Sequence, residues 1–243
     1  MEERIELDAD GSKLPAAVYR PAGQGPWPGV VVGPGGMARG AIEQFVWLSS
    51  RLADAGFLAL TATYRADAPI DDPADFGLAF DWLARSGLVD SSRIALVGHS
   101  RGAMSALRTA ALDARFRAVV AIGAPFDLHQ NAVSVAQYSA LRFQQLLNFM
   151  GDPKTNEDRY RLVQATTYAD RIKQPTLIVH GHLDMMAPVD QVEPFRQQLL
   201  GAGNKQVRVE IMQGMGHFFE RTTNGYLFDP VVAIITSWLR EVL

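Results

Sequence analysis

Apolar residues along this chain fall into short unbroken runs separated by stretches with helical spacing. Lys13 to Tyr19 predicts an early strand, and Gly29-Val30-Val31-Val32-Gly33 a buried strand that opens into a glycine-rich loop. Phe45, Leu48 and Leu52 recur on one helix face, and Phe57 to Tyr64 reads as a further strand. Phe76, Phe80 and Leu83 mark another helix, followed by the runs Arg93 to Val97 and Ala118 to Ile122, with an alanine-rich helical stretch from Ala103 to Leu112 between them. Thr176 to His180 and Val207 to Met212 are the last two strands, and Val232, Ile235, Leu239 and Val242 give a terminal helix. Nearly continuous Val/Ile/Leu strands alternating with amphipathic helices predict a mostly parallel sheet covered on both faces.

The rhythm stops between Ile122 and Thr176, for longer than a simple crossover needs. Phe143, Leu146, Leu147 and Met150 share one helix face there, and Asn156-Glu157-Asp158 offers capping chemistry for a second helix. Residues 126–170 therefore read as a helical cap inserted into a single domain spanning 1–243. Long insertions in compact domains are usually functional, and ligands of open α/β sheets bind beyond the carboxyl ends of the strands.

Composition narrows the picture. The 243 residues are 48% hydrophobic and 20% charged, which suits one domain with a sizeable core. A net charge of −3 without a basic stripe argues against nucleic acid and anionic membranes as partners. The absence of cysteine removes disulfides and thiolate chemistry. The N-terminus is charged from the start and no run is long enough to span a bilayer, so a cytoplasmic protein, monomer or homodimer, is the expectation.

The chemistry gathers at strand ends. Gly98-His99-Ser100-Arg101-Gly102 sits between a strand and a helix, the context in which G-x-S-x-G holds a serine on a sharp turn. A serine hydroxyl needs a base within reach, and the base needs an orienting group. His217, in Gly214-Met215-Gly216-His217-Phe218-Phe219, follows the last strand, and Asp184 follows the one before it. Asp127 is a reserve acid. Donors for an oxyanion are expected from the Arg101 N–H and from Gly35 or Gly36, with Met37 a further option; Pro34 has no N–H to give. The Arg101 side chain either faces the pocket or pairs with a carboxylate. Met37, Phe126, Tyr138, Phe143 and Phe218 are candidates for the pocket wall. His99 is expected to pack behind the serine turn, His180 to be a hydrogen-bonded structural residue, and Asp170 to lie in a cap or surface ion pair. His180-x-His182-x-Asp184 has the look of part of a zinc site but lacks the additional ligands, so neither metal nor organic cofactor is expected.

With these pieces the chain resembles the α/β-hydrolases, and within them the dienelactone-hydrolase and prolyl-oligopeptidase-like branch, which includes acylaminoacyl peptidases. The resemblance rests on Gly98 to Gly102, on Tyr168 to Gly181, on Asp184 with Pro188, and on Gly216-His217-Phe218. It implies Ser100 as nucleophile, Asp184 as orienting acid and His217 as base, acting on a small-molecule ester, with an amide hydrolase or a non-catalytic receptor of the same fold as alternatives. Three departures stand out. Gly33-Pro34 replaces the usual His-Gly pair, the cysteine nucleophile of dienelactone members is missing, and 243 residues leave no space for the propeller of the large peptidases.

Overall fold

In a computed structural model, which describes residues 2–66, 68–219 and 228–243, eight strands form one sheet in the order β1-β2-β4-β3-β5-β6-β7-β8. The strands are β1 (Glu2–Ala9), β2 (Ser12–Tyr19), β3 (Trp27–Gly33), β4 (Leu58–Ala62), β5 (Val89–His99), β6 (Ala118–Ile122), β7 (Thr176–Gly181) and β8 (Val207–Met212). The hairpin β1–β2 is antiparallel and β2 joins β4 antiparallel; from β4 through β8 every pairing is parallel.

The helices are α1 (Val46–Asp54), α2 (Asp72–Arg85), α3 (Arg101–Leu112), α4 (Leu128–Tyr138), α5 (Ala140–Met150), α6 (Glu157–Val163), α7 (Val192–Gly201) and α8 (Phe228–Val242). The two faces of the sheet explain the unbroken apolar runs. Val31, Ile94, Leu96 and Val119 pack under Phe76, Leu83 and Leu107 of α2 and α3. Their neighbours Val30, Val32, Val97 and Val120 point the other way, onto Leu48, Leu52 and Ile235 of α1 and α8. With period-2 side chains and both faces covered, the runs 29–33, 94–99 and 118–122 are buried at every position.

Outside the insertion, two elements escape the sequence reading. In β1 the alternation Ile5, Leu7, Ala9 is hidden among Glu2, Glu3, Arg4, Glu6 and Asp8, as suits an edge strand with one wet face. In α7 the buried positions Val192, Phe195 and Leu199 follow i, i+3, i+7 spacing, but Gln-rich surroundings mask it. Between β6 and β7 the chain makes three helices where two were expected. Asp127 caps the unforeseen α4 by accepting from the Gln130 N–H at 2.8 Å. Asn156 does precede α6, yet its amide donates to the Asp152 carbonyl at 3.0 Å and provides no side-chain cap. The three helices share a separate small core of Leu128, Ala132, Leu146, Met150, Tyr160 and Val163, seated on Met104 of α3.

Candidate active site

Ser100 stands between β5 and α3 with φ 54° and ψ −117°, a conformation that a residue with a Cβ adopts only under constraint. Its N–H donates to the Ile122 carbonyl of β6 at 2.9 Å, and its carbonyl accepts from Ala103 and Met104 at 3.1 Å each. The flanking glycines are required by contact. A Cβ on Gly98 would lie 2.1 Å from the Gly102 oxygen, and one on Gly102 would lie 2.1 Å from the Gly33 oxygen. Strand and helix can approach this closely only without side chains, and that approach is what bends the chain sharply enough to lift Ser100 off the sheet.

The turns after β7 and β8 bring the two partners. A Cβ on Gly181 would lie 2.5 Å from the Met215 oxygen, and the Leu183 N–H donates to that same carbonyl at 2.9 Å, so the two loops are held together. Asp184 Oδ1 accepts from the Met186 and Ala187 N–H groups at 2.9 and 2.8 Å. Its Oδ2 lies 2.8 Å from His217 Nδ1, and His217 Nε2 lies 3.0 Å from Ser100 Oγ. Burial pushes the Asp184 carboxyl up, but the hydrogen bond and charge of His217, the Ala187 N–H and His180 together hold it below the ordinary carboxylate value. An ionised Asp184 can only accept, so His217 carries its proton on Nδ1 and presents a bare Nε2 to the serine hydroxyl.

Two further histidines support this arrangement. His180 Nε2 donates to the Ala187 carbonyl at 2.7 Å and lies 3.6 Å from Asp184 Oδ2. Burial holds its imidazole below the usual value, so it stays neutral behind the carboxylate. His99 lies beneath the serine turn, with Nε2 2.8 Å from the His217 carbonyl, and thereby pins the loop that carries His217. The reserve acid Asp127 is occupied as a helix cap, away from this relay. His182 is exposed, and Asp170 sits on the surface 3.9 Å from Arg171.

The Arg101 side chain takes the second of its two expected courses. Nε and Nη2 donate to the two oxygens of Asp72 at 2.9 and 2.7 Å, both side chains are buried, and Ser105 Oγ donates to the same carboxylate at 2.6 Å. The guanidinium also donates to the Ala38 and Ala66 carbonyls at 2.6 and 2.9 Å and lies 4.2 Å over the Tyr64 ring. The Tyr64 hydroxyl donates to the Pro34 carbonyl at 2.8 Å. The loop after β3 is thus tied to the first turn of α3 from both ends, with Gly35 placed so close that an added Cβ would come 3.1 Å from Ser100 Cβ.

Ser100 and His217 open into a cavity of about 780 Å³. Gly35, Gly36, Met37 and Phe218 line it, as the sequence suggested. Two aromatic expectations are corrected. Phe126 is fully buried and stacks on Phe195 at 4.5 Å, a core position behind His180 with no face toward the cavity. Phe143 is half-buried against the small core of the insertion and does not line the cavity, whereas Phe149 packs against the same core and also lines the cavity. On α5 the wall runs Arg142, Gln145, Leu146, Phe149, at i, i+3, i+4 and i+7, about one residue's rotation away from the stripe of Phe143, Leu147 and Met150. The side chain of Tyr138 lies outside the described residues. Leu128, Asn131 and Val135 of α4 and Arg159 of α6 complete the far side; their i, i+3, i+7 spacing on α4 was present in the sequence but α4 itself was not foreseen.

Comparison with known proteins places the fold and the family. The chain is 32% identical over 160 residues to dipeptidyl aminopeptidase BIII of Pseudoxanthomonas mexicana, covering 63% of this chain and 22% of that relative, so it spans about a fifth of the peptidase's length. It is 29% identical over 233 residues to cutinase 2 of Thermobifida cellulosilytica, covering 92% of this chain and 71% of the cutinase. The structure of a puromycin-hydrolyzing peptidase from Mycobacterium tuberculosis superimposes with a TM-score of 0.83 at 21% identity, over the whole of this chain and 39% of that one. The mostly parallel sheet with its helices is that of the α/β-hydrolase fold, and residues 59–243 match the prolyl oligopeptidase family, to which this chain belongs.

Proposed function

We propose that this chain is a serine hydrolase that cleaves carboxylic esters through an acyl-enzyme. The observation that carries the reading is the relay Asp184–His217–Ser100, at 2.8 and 3.0 Å, ending at a cavity large enough for a small substrate. Ser100 Oγ attacks the carbonyl carbon as His217 Nε2 takes its proton, and Asp184 stabilises the imidazolium that forms. The tetrahedral oxyanion is received by the Arg101 N–H, which points out of the start of α3, and by an N–H of Gly35 or Gly36. His217 returns the proton to the leaving alcohol. Water, activated by the same imidazole, then attacks the acyl carbon and frees the acid and the serine. The helices α4 to α6 serve as a cap that forms the far wall of the cavity and selects the substrate.

The name of the cutinase relative favours esters, and the names of the peptidase relatives favour the amide reading. Both use the same relay; they differ in how well His217 protonates the leaving group. Turnover of short p-nitrophenyl esters and of their matched anilides by the native chain and by Ser100→Ala tests both. Ester turnover exceeding anilide turnover, and falling by about 1000-fold or more in the variant, is the expected result. Unchanged turnover in a folded Ser100→Ala variant removes the serine mechanism.

A further inference from the structure

The cavity wall contributed by the insertion is charged in one sense. Among the described residues that line it there is no Asp or Glu, while Arg142 of α5 and Arg159 of α6 both face it. Arg101 lines it as well, but its charge is matched by buried Asp72. Arg142 and Arg159 have no such match. Among the described residues, Arg142 donates to the Gln145 amide oxygen at 3.1 Å, and Arg159 donates one Nη2 hydrogen bond to the Phe149 carbonyl at 3.3 Å. Among the described residues neither has a carboxylate within ion-pair distance, and Arg159 Nε is buried with no acceptor. Elsewhere arginines in this chain find acids readily, as Arg65 does with Asp75 and Arg115 with Asp113 and Asp81.

Asn131 of α4 adds an acceptor to the same wall. It is nine-tenths buried at the wall of the same cavity, and its Oδ1 has no partner among the described residues. Buried polar groups normally find partners. Here a buried amide and a partly buried guanidinium both lack them at one surface, beside the apolar side chains of Leu128, Val135, Leu146 and Phe149. A molecule with an apolar body and a carboxylate end would suit the two guanidinium groups, while Asn131 Oδ1, an acceptor, calls for a hydroxyl or N–H donor beside it. Guanidinium groups hold carboxylates through paired, charge-assisted hydrogen bonds, strengthened where water is partly excluded.

We infer that the insertion carries an anion-recognising subsite, in which Arg159 and Arg142 take a carboxylate borne by the ester substrate away from its scissile bond. The inference rests on the serine-hydrolase reading of the same cavity. It gives the preferred substrate class as carboxylate-bearing esters, such as half-esters of dicarboxylic acids.

The test compares monoethyl glutarate with diethyl glutarate, and 4-butanoyloxybenzoate with its methyl ester, so that the anion sits on the acyl or on the alcohol part. The native chain is expected to favour the anionic member of at least one pair in kcat/KM. Arg159→Gln and Arg142→Gln should each lower the anionic-to-neutral ratio by about tenfold or more, as loss of a charge-assisted hydrogen bond implies. Arg159→Lys should recover part of it, and added salt should erode it. Equal or better turnover of both neutral esters by the native chain overturns the inference. So does a fall of both members in parallel, which would mark the arginines as structural. Protection of Ser100 from a fluorophosphonate by glutarate, and its loss in Arg159→Gln, gives a readout independent of turnover. If Ser100→Ala hydrolyses every ester like the native chain, the serine mechanism fails; if hydrolysis needs Ser100 but ignores charge, only the subsite does.

Discussion

The sheet rim and the inserted helices solve the same task, placing side chains around one cavity, by different physical means. At the rim, position is dictated by backbone contact. Gly98 and Gly102 leave no space for a methyl group, Ser100 is held at positive φ, and the turns after β7 and β8 are bonded to each other through Leu183 and Met215. The relay residues are locked by neighbours that are themselves buried, such as His180 and His99. In the insertion, three helices rely on a core of a few side chains resting on Met104, and their inner wall mixes arginine and amide side chains with Leu128, Val135, Leu146 and Phe149. On the proposed function this difference assigns chemistry to the rim and selectivity to the wall, and it predicts that the rim tolerates little change whereas the wall can vary without disturbing the serine.

The largest stability effect that sharpens this contrast is expected at Asp72. It accepts from Arg101 and Ser105 in a buried setting, so Asp72→Ala leaves a guanidinium without its carboxylate beneath the serine turn. A loss of about 3–5 kcal/mol is expected, read from the denaturant midpoint, with labelling of Ser100 lost in parallel. A neutral result would mean that the rim is less interlocked than its contacts suggest.

Met150 provides the counterpart in the insertion. It is fully buried in the small core, and Met150→Ala should cost about 2 kcal/mol, the low end for such a truncation. The variant should alter relative kcat/KM across an ester panel while Ser100 still reacts with a fluorophosphonate. Complete loss of labelling would show that the two regions are one cooperative unit.

Acid gives the smallest effect, with a defined sign. Folding holds His180 below its ordinary value, so the unfolded chain takes up that proton first and stability declines as pH drops below about 6.5. Folding also depresses Asp184, whose contribution is complete above about pH 4 and is lost as pH falls through its lower folded value. Denaturation midpoints between pH 8 and pH 3 should fall in that order, and His180→Gln should flatten the first decline. A midpoint that rises on acidification from pH 6.5 to 5 contradicts this assignment.

The rim was readable because each reactive residue follows an apolar run. Ser100, Asp184 and His217 stand after β5, β7 and β8, so locating the strands located the site. The edge strand β1 and helix α7 were hidden by charged or glutamine-rich positions, where only half of each period is apolar. The insertion was legible as an interruption and no further. On α5 two stripes about one residue apart both carry large apolar side chains, and only tertiary packing decides that Phe149 lines the cavity and Phe143 does not. Phe126 was placed wrongly for a related reason, since an aromatic residue after a strand suits the core as well as a pocket.

The most direct test of the account is the mass of the chain captured during hydrolysis of a p-nitrophenyl ester, with the adduct mapped by peptide. The account predicts one acyl group per chain on the peptide bearing Ser100, formed with a burst of one equivalent of nitrophenol and absent in Ser100→Ala. An adduct on another residue, or full turnover with no acylated intermediate and an intact burst in the variant, would contradict it.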